Sequence, residues 1–308
     1  MAETKRLGQS LGVVREDGLI GLYHRAQFAF LWRLISRSKK WMGRVTFVTC
    51  RHRALRDCGD LLARNETFRD RHRGQRCFVI GNGPSLNEQD LSRLGDEVTF
   101  ATNAFHLHPL AKQKRLPTYY LLSDPLYFDG STALEEFSQM KEAIGSTPIF
   151  LPHYAKDFIN STNALPADQI YYVASCGGLE DTWRARPDLT KTIPGAQTVV
   201  QLAILAAMYM GCSPIYLLGL DHDWLSHGGQ HLNFYSEETV DEQPEGNLTG
   251  WSYRKMMEAM LTMWDIYEML LRIANAEGIE IINATHGGFL DVFKRQSYES
   301  VINGGKLK

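Results

Sequence analysis

The sequence predicts an α/β protein: a Rossmann-like, mainly parallel sheet of about seven strands with helices on both faces, plus a basic N-terminal helical arm. Three observations predict it. After Arg76, short apolar runs alternate with segments of helical apolar spacing, the pattern of a parallel sheet covered on both sides. The stretch CFVIGNGPSL, from Cys77 to Leu86, runs an apolar strand straight into a glycine-rich turn. The charge is also divided. Residues 1–76 hold 17 Lys/Arg against 7 Asp/Glu, a balance of +10, and the remainder holds 16 against 28, a balance of −12. The division this suggests is an arm at 1–75 and one domain at 76–308.

A chain of 308 residues with 44% apolar and 22% charged content can bury a large core as one α/β domain with an appendage. It contains no run of eighteen apolar residues, so neither a spanning helix nor a secretory leader is expected. Cys50, Cys58, Cys77, Cys176 and Cys212 are scattered and have no metal spacing, which predicts reduced thiols and a cytoplasmic location. Asn-X-Ser/Thr triplets then carry no expectation of glycosylation.

In chain order, residues 19–47 show helical spacing, with Leu22, Phe28, Leu31, Leu34, Ile35 and Trp41 apolar and Arg25, Arg33, Arg37, Lys39, Lys40 and Arg44 polar. Such a helix can lie peripherally on the anionic inner face of a membrane, or pack on its own domain or a second copy. A second basic helix is expected within 51–76. Aromatic residues able to stack nucleobases are sparse there, so nucleic acid is not an expected partner. Strands are expected at 77–81, 98–103, 118–123, 147–151, 169–174, 214–220 and 279–284. Helices are expected near 85–94, 132–143, 196–211 and 252–277.

In a parallel sheet, ligands bind beyond the carboxyl ends of the strands. Those ends deliver Gly81, Asn82, Gly83 and Ser85, then Asn103, then Ser123 and Asp124, then Asp221, His222 and Asp223, and finally Thr285 and His286. Gly81 and Gly83 can admit a ligand to bare backbone, and a helix starting at Pro84 and Ser85 would turn its N–H groups on an anion. An ordinary strand-to-helix turn has the same residues. Asn and Asp at the other ends can read a base or a sugar hydroxyl, or close turns through their own backbone. Gln197 and Thr198 open a helix whose first N–H groups can meet a phosphate.

The loop after Leu220 offers His222, Asp223, His227, His231, Asn233 and Tyr235. Asp221-X-Asp223 suits a divalent cation such as Mg2+ held against a diphosphate, and a loop histidine suits general base catalysis. The helical stripe of Met256, Met257, Met260, Met263, Trp264 and Tyr267 reads as core.

GNGPSL, ATNAF around Asn103, LSDP around Asp124 and YLLGLD resemble the bacterial lipooligosaccharide sialyltransferases. The same elements, with NATHGGFLDVF near the C-terminus, resemble the MptE-like proteins, which include a hydroxymethylpterin pyrophosphokinase. The resemblance spans about residues 76–295. The sialyltransferase likeness implies a CMP-activated acidic sugar, an inverting displacement, a histidine base and no required metal. Asn82, Ser85 and Asn103 would then hold the nucleotide and phosphate, Asp124 standing where that family has asparagine. The family's histidine falls near Thr249 and Gly250, which carry none, so His231 or His222 would serve, with Asp221 beside it and Tyr235 near the leaving group. Gly81, Gly83, Gln197, Thr198 and His286 complete the expected nucleotide-sugar site. The expected partners are a CMP-sugar donor and a glycan or lipid-linked acceptor, with homo-oligomerisation left open. The rival expectations are an ATP- and Mg2+-dependent pyrophosphokinase, with metal at Asp221 and Asp223, and a non-catalytic nucleotide-binding scaffold.

Overall fold

The structure is a computed structural model. It describes residues 42–113, 115, 117–128, 133–177, 183–227, 233–235 and 252–304. Of the segment expected to form an amphipathic interfacial helix, residues 19–41 lie outside these. Residues 42–63 form a helix and place Ala54, Cys58 and Leu62 in the core.

Among the described residues one sheet of nine strands forms, and all its pairings are parallel. The strands are β1 (Cys77–Ile80), β2 (Val98–Thr102), β3 (Tyr119–Leu121), β4 (Ile149–Pro152), β5 (Ile170–Cys176), β6 (Thr192–Pro194), β7 (Ile215–Leu218), β8 (Ile281–Asn283) and β9 (Lys294–Arg295). Their order is β6-β5-β4-β3-β2-β1-β7-β8-β9. From β1 the chain winds outward through β6, then returns to β1's other side and winds away through β9. The reversal lies between β1 and β7, which pair from Cys77 with Ile215 to Ile80 with Leu218.

The α/β class and parallel sheet are as the sequence predicts, and the strand count rises from seven to nine. The two additions are the edge strands β6 and β9, three and two residues long. Runs that short carry no periodicity, and Pro194 in β6 marks a position only an edge tolerates.

Side chains alternate across the sheet as the pleat requires. Cys77 and Val79 face a core completed by the helices Val199–Tyr209 and Tyr253–Glu277. Phe78 and Ile80 face a second core with the helix Ala133–Ile144 and the 42–63 stretch. Every residue of Val199–Tyr209 is buried, Gln201 included, so this helix has no solvent-facing side. In Tyr253–Glu277, Met257 is 41% exposed and does not meet the expectation of a core position.

Two local expectations are corrected. The helix expected near 85–94 is two 3-10 turns, Pro84–Glu88 and Leu91–Leu94, split where Asp90 caps Ser92. The thiols are not all reduced, because Cys50 and Cys176 form a disulfide with Cα atoms 5.9 Å apart. They are 126 residues apart in sequence, and only folding brings the 42–63 helix to the end of β5. No helix among the described residues is long and apolar enough to cross a membrane.

Candidate active site

The β1/β7 reversal opens a cleft of about 310 Å³ at the carboxyl ends of the strands. Its walls are the loops after β1, β2, β3 and β7 and the start of the helix Val199–Tyr209. Of the residues expected from sequence, Gly81, Asn82, Gly83, Asn103, Asp124, Gln197, Thr198, Asp221, His222 and Asp223 all line it.

The glycines serve a purpose the sequence did not show. A Cβ on Gly81 would sit 2.6 Å from the Gly219 carbonyl, and one on Gly83 would sit 1.8 Å from Asp221 Oδ2. The space they leave is filled by the β7 loop, not held open for a ligand. Ser85 lies behind the cleft wall and does not cap a helix towards an anion. Its hydroxyl donates to Asp221 Oδ2 at 2.8 Å and its N–H to Asp221 Oδ1 at 3.3 Å. Asp221 is 8% exposed, and burial pushes its carboxyl above the ordinary range against the pull of the Ser85 bonds.

Asn82 donates through Nδ2 to the Thr102 carbonyl at 3.1 Å. Its Oδ1 and that of Asn103 are buried acceptors with no partner among the described residues. Asn103 has φ +44, a left-handed conformation that asparagine tolerates better than most residues, and its carbonyl accepts the Tyr120 hydroxyl. Asp124 closes β3's end. The neighbouring Ser123 carbonyl accepts the Tyr154 hydroxyl at 2.6 Å. Burial, with Asp124's charge adding to it, pushes that phenol up to about 12.

Thr198 caps the helix Val199–Tyr209 in a reciprocal box with Gln201, whose Oε1 accepts the N–H groups of Gln197 and Thr198. The N–H groups of Val199 and Val200 fall in the first turn, where the helix supplies no acceptor, and both residues line the cleft.

His222 also has a positive φ, +49, and its Nε2 lies 2.8 Å from the hydroxyl of Tyr267. One residue on, Asp223 Oδ2 meets His227 Nε2 at 2.9 Å. Asn233 is buried at the cleft wall, and the Phe234 N–H donates to the Asn82 carbonyl at 2.9 Å, fastening this segment to the β1 loop.

Two expected site residues stand apart. Tyr235 is not among the lining residues and packs edge-on against Phe234, ring centroids 5.0 Å apart. His286 is exposed in a separate cavity of about 340 Å³ beside Gln89 and Arg295. The loop carrying it turns away because Gly288 lies against the Asp221 backbone and the Phe289 N–H donates to the Asp221 carbonyl at 2.8 Å. His231, with Thr249 and Gly250, lies outside the described residues. The sequence places Tyr267 in a core stripe and marks nothing at Trp224, yet Trp224 lines the cleft and Tyr267 meets His222. Tyr267 sits in an apolar stripe, and its one readable signal was a phenol where a core needs only an apolar ring.

The MptE-like resemblance raises the question of a divalent cation. Asp221 has both oxygens on Ser85 and Asp223 has one on His227. Among the described residues no group of three His, Cys, Asp or Glu is arranged to hold a metal ion. As placed, the pair does not fit a metal site.

The family model of the 6-hydroxymethylpterin diphosphokinase MptE-like proteins matches residues 53–227, more than half of the chain. The chain belongs to the MptE-like family. The matched residues run from the basic helix through β7 and its loop, so they include most of the cleft. The sialyltransferase CstII from Campylobacter jejuni is a structural neighbour in two solved forms. In complex with cytidine-5'-monophosphate it is 16% identical with a TM-score of 0.42, covering 73% of this chain and 86% of that one. In complex with CMP-3FNeuAc it is 15% identical with a TM-score of 0.43, covering 72% and 86%. No curated protein matches the chain.

Proposed function

We propose that this MptE-like protein is a glycosyltransferase of bacterial surface-polysaccharide assembly. It moves a nonulosonic or related keto-acid sugar from a CMP-activated donor to a hydroxyl of a glycan or lipid-linked acceptor. The observation that carries this reading is the electrostatics of the cleft. Three aspartates line it, Asp124, Asp221 and Asp223, and among the described lining residues there is no Lys or Arg. A triphosphate without a cation would be repelled there. A CMP-activated keto-acid sugar carries less charge, one negative charge on its phosphodiester and one on the sugar carboxylate, and the first turn of the helix Val199–Tyr209 can hold the phosphodiester through its N–H groups. The unpartnered oxygens of Asn82 and Asn103 suit donors on a nucleoside, such as an amino group or ribose hydroxyls.

In the transfer, the acceptor oxygen bonds to the anomeric carbon as that carbon's bond to the phosphate oxygen breaks, and CMP departs. His227, oriented by Asp223, takes the acceptor proton; the helix N-terminus stabilises the charge developing on the phosphate.

The family model favours a second reading, diphosphate transfer from ATP to a pterin-like alcohol. That reading requires magnesium, and Asp221 would have to leave Ser85 to bind it.

A thermal-shift panel of CMP, CDP, UDP, GDP and ATP, each with and without magnesium, decides between them. A ligand at a hundred times its Kd stabilises the native state by about 2.7 kcal/mol. Stabilisation by CMP without metal is expected; stabilisation only by ATP with magnesium would replace the glycosyltransferase with the diphosphokinase.

The basic N-terminal arm is assigned to holding the enzyme at the inner membrane face, beside lipid-linked acceptors. Liposome flotation should then show binding to anionic vesicles at low salt and release at high salt. Binding indifferent to salt, or no binding, removes the membrane role.

A further inference from the structure

Tyr267 is wholly buried in the middle of the helix Tyr253–Glu277, yet its hydroxyl reaches the back of the cleft wall. It lies 2.8 Å from His222 Nε2 and is also hydrogen-bonded to the Thr198 side chain. Thr198 Oγ1 in turn accepts the Gln201 N–H at 3.4 Å. Gln201 is fully buried and donates through Nε2 to the Met263 carbonyl at 2.9 Å, tying the capped helix to the helix that carries Tyr267. The His222 ring is further confined by Trp224 and Trp264, with centroids 5.9 and 5.8 Å away. Trp264 is itself anchored by its indole N–H on Asp291 Oδ1 at 2.9 Å. A buried phenol is costly unless its hydroxyl is used. A position needed only for packing would be served as well by phenylalanine.

We propose that Tyr267 is a positioning residue that fixes the His222 ring and selects its tautomer. His222 then meets the donor's phosphate as an N–H donor and not as the base. In the proposed arrangement the bonds run in one sense. Thr198 accepts from the Gln201 N–H and donates its own proton to the Tyr267 oxygen. Tyr267 then donates to His222 Nε2, and the proton of the neutral imidazole resides on Nδ1. A ring held this way cannot take a proton at Nε2, which leaves the acceptor proton to His227 and Asp223. The chain also joins His222 to the cap of the helix whose first turn receives the phosphate. The phosphate role rests on the glycosyltransferase reading; the tautomer does not.

The test uses the full chain labelled with 15N-histidine. In the wild type at neutral pH, His222 is expected to show Nδ1 as the protonated nitrogen and Nε2 as the accepting one. Tyr267→Phe should collapse that to a mixture of tautomers. A wild-type signal with the proton on Nε2 overturns the proposal. With CMP-N-acetylneuraminic acid as the probe donor, folded Tyr267→Phe is expected to lose about ten- to a hundredfold in kcat with KM held within about twofold. Thr198→Val should reproduce the loss and Thr198→Ser restore it, which covers a Tyr267→Phe chain that fails to fold. Unchanged kcat in either folded variant overturns the positioning role. If the wild type does not turn over the probe, the glycosyltransferase reading fails and the nitrogen spectrum still decides the tautomer.

Discussion

Asp221 lines the cleft and is almost wholly buried there. Its position at the end of β7 marks it as a cleft residue, but its oxygens are used by Ser85 and its space is made by Gly83. A buried carboxylate that loses a donor bears the desolvation cost unaided, so Ser85→Ala should cost about 1–3 kcal/mol. Urea unfolding checks this, as a lowered midpoint with an unchanged slope. The pH dependence follows from the raised carboxyl of Asp221. The folded state holds that proton more tightly than the unfolded chain. Its stabilising contribution is complete below the ordinary carboxylate value of about 3.9 and is lost as pH rises through the raised value. The stability of the wild type relative to Asp221→Asn should therefore fall with rising pH across that window. A difference that is flat or that grows with pH would mean the carboxyl is not raised.

At the scale of elements, what could be read from sequence follows how strongly each element repeats. The strands β1 to β5, β7 and β8 announce themselves as apolar runs because both faces of a parallel sheet are buried. The long helix Tyr253–Glu277 announces itself by spacing. The 3-10 turns at Pro84–Glu88 and Leu91–Leu94 do not, because four or five residues carry no period and the Ser85–Asp221 bond that shapes the first is 136 residues apart in sequence. The start of the helix Val199–Tyr209 was legible only to within three residues, since Thr198 and Gln201 fix it through a reciprocal cap. Thr198→Ala should cost about 1 kcal/mol for the cap alone. It should cost more here, because Tyr267 loses a partner as well. Thr198→Ser keeps both bonds and should stay near the wild type in thermal melting. Equal losses for the alanine and serine variants would show that the γ-methyl, not the hydroxyl, is what matters.

Over the whole molecule, the topology creates the site: Asn82, Asn103, Asp124 and Asp221 are far apart in the chain but stand at the ends of β1, β2, β3 and β7, and parallel winding brings those ends to one edge. That convergence was legible because it needs only the strands and their common direction. The Cys50–Cys176 link was not, because it depends on where the 42–63 helix comes to rest, and nothing local to either cysteine records that. The link closes a loop of 126 residues and fastens this helix to the end of β5. In the chain-entropy account a loop of that length contributes about 5 kcal/mol by restricting the unfolded chain. Alkylation in denaturant without reductant should therefore label three cysteines, Cys58, Cys77 and Cys212, and label all five only after reduction. Reduction, or the Cys176→Ser variant, should lower the melting temperature, and the two losses should be similar because each removes the same constraint. Five labelled thiols before reduction would mean that the helix is held only by the burial of Ala54, Cys58 and Leu62. Loss of the Cys176 sulfur would then leave the melting temperature nearly unchanged.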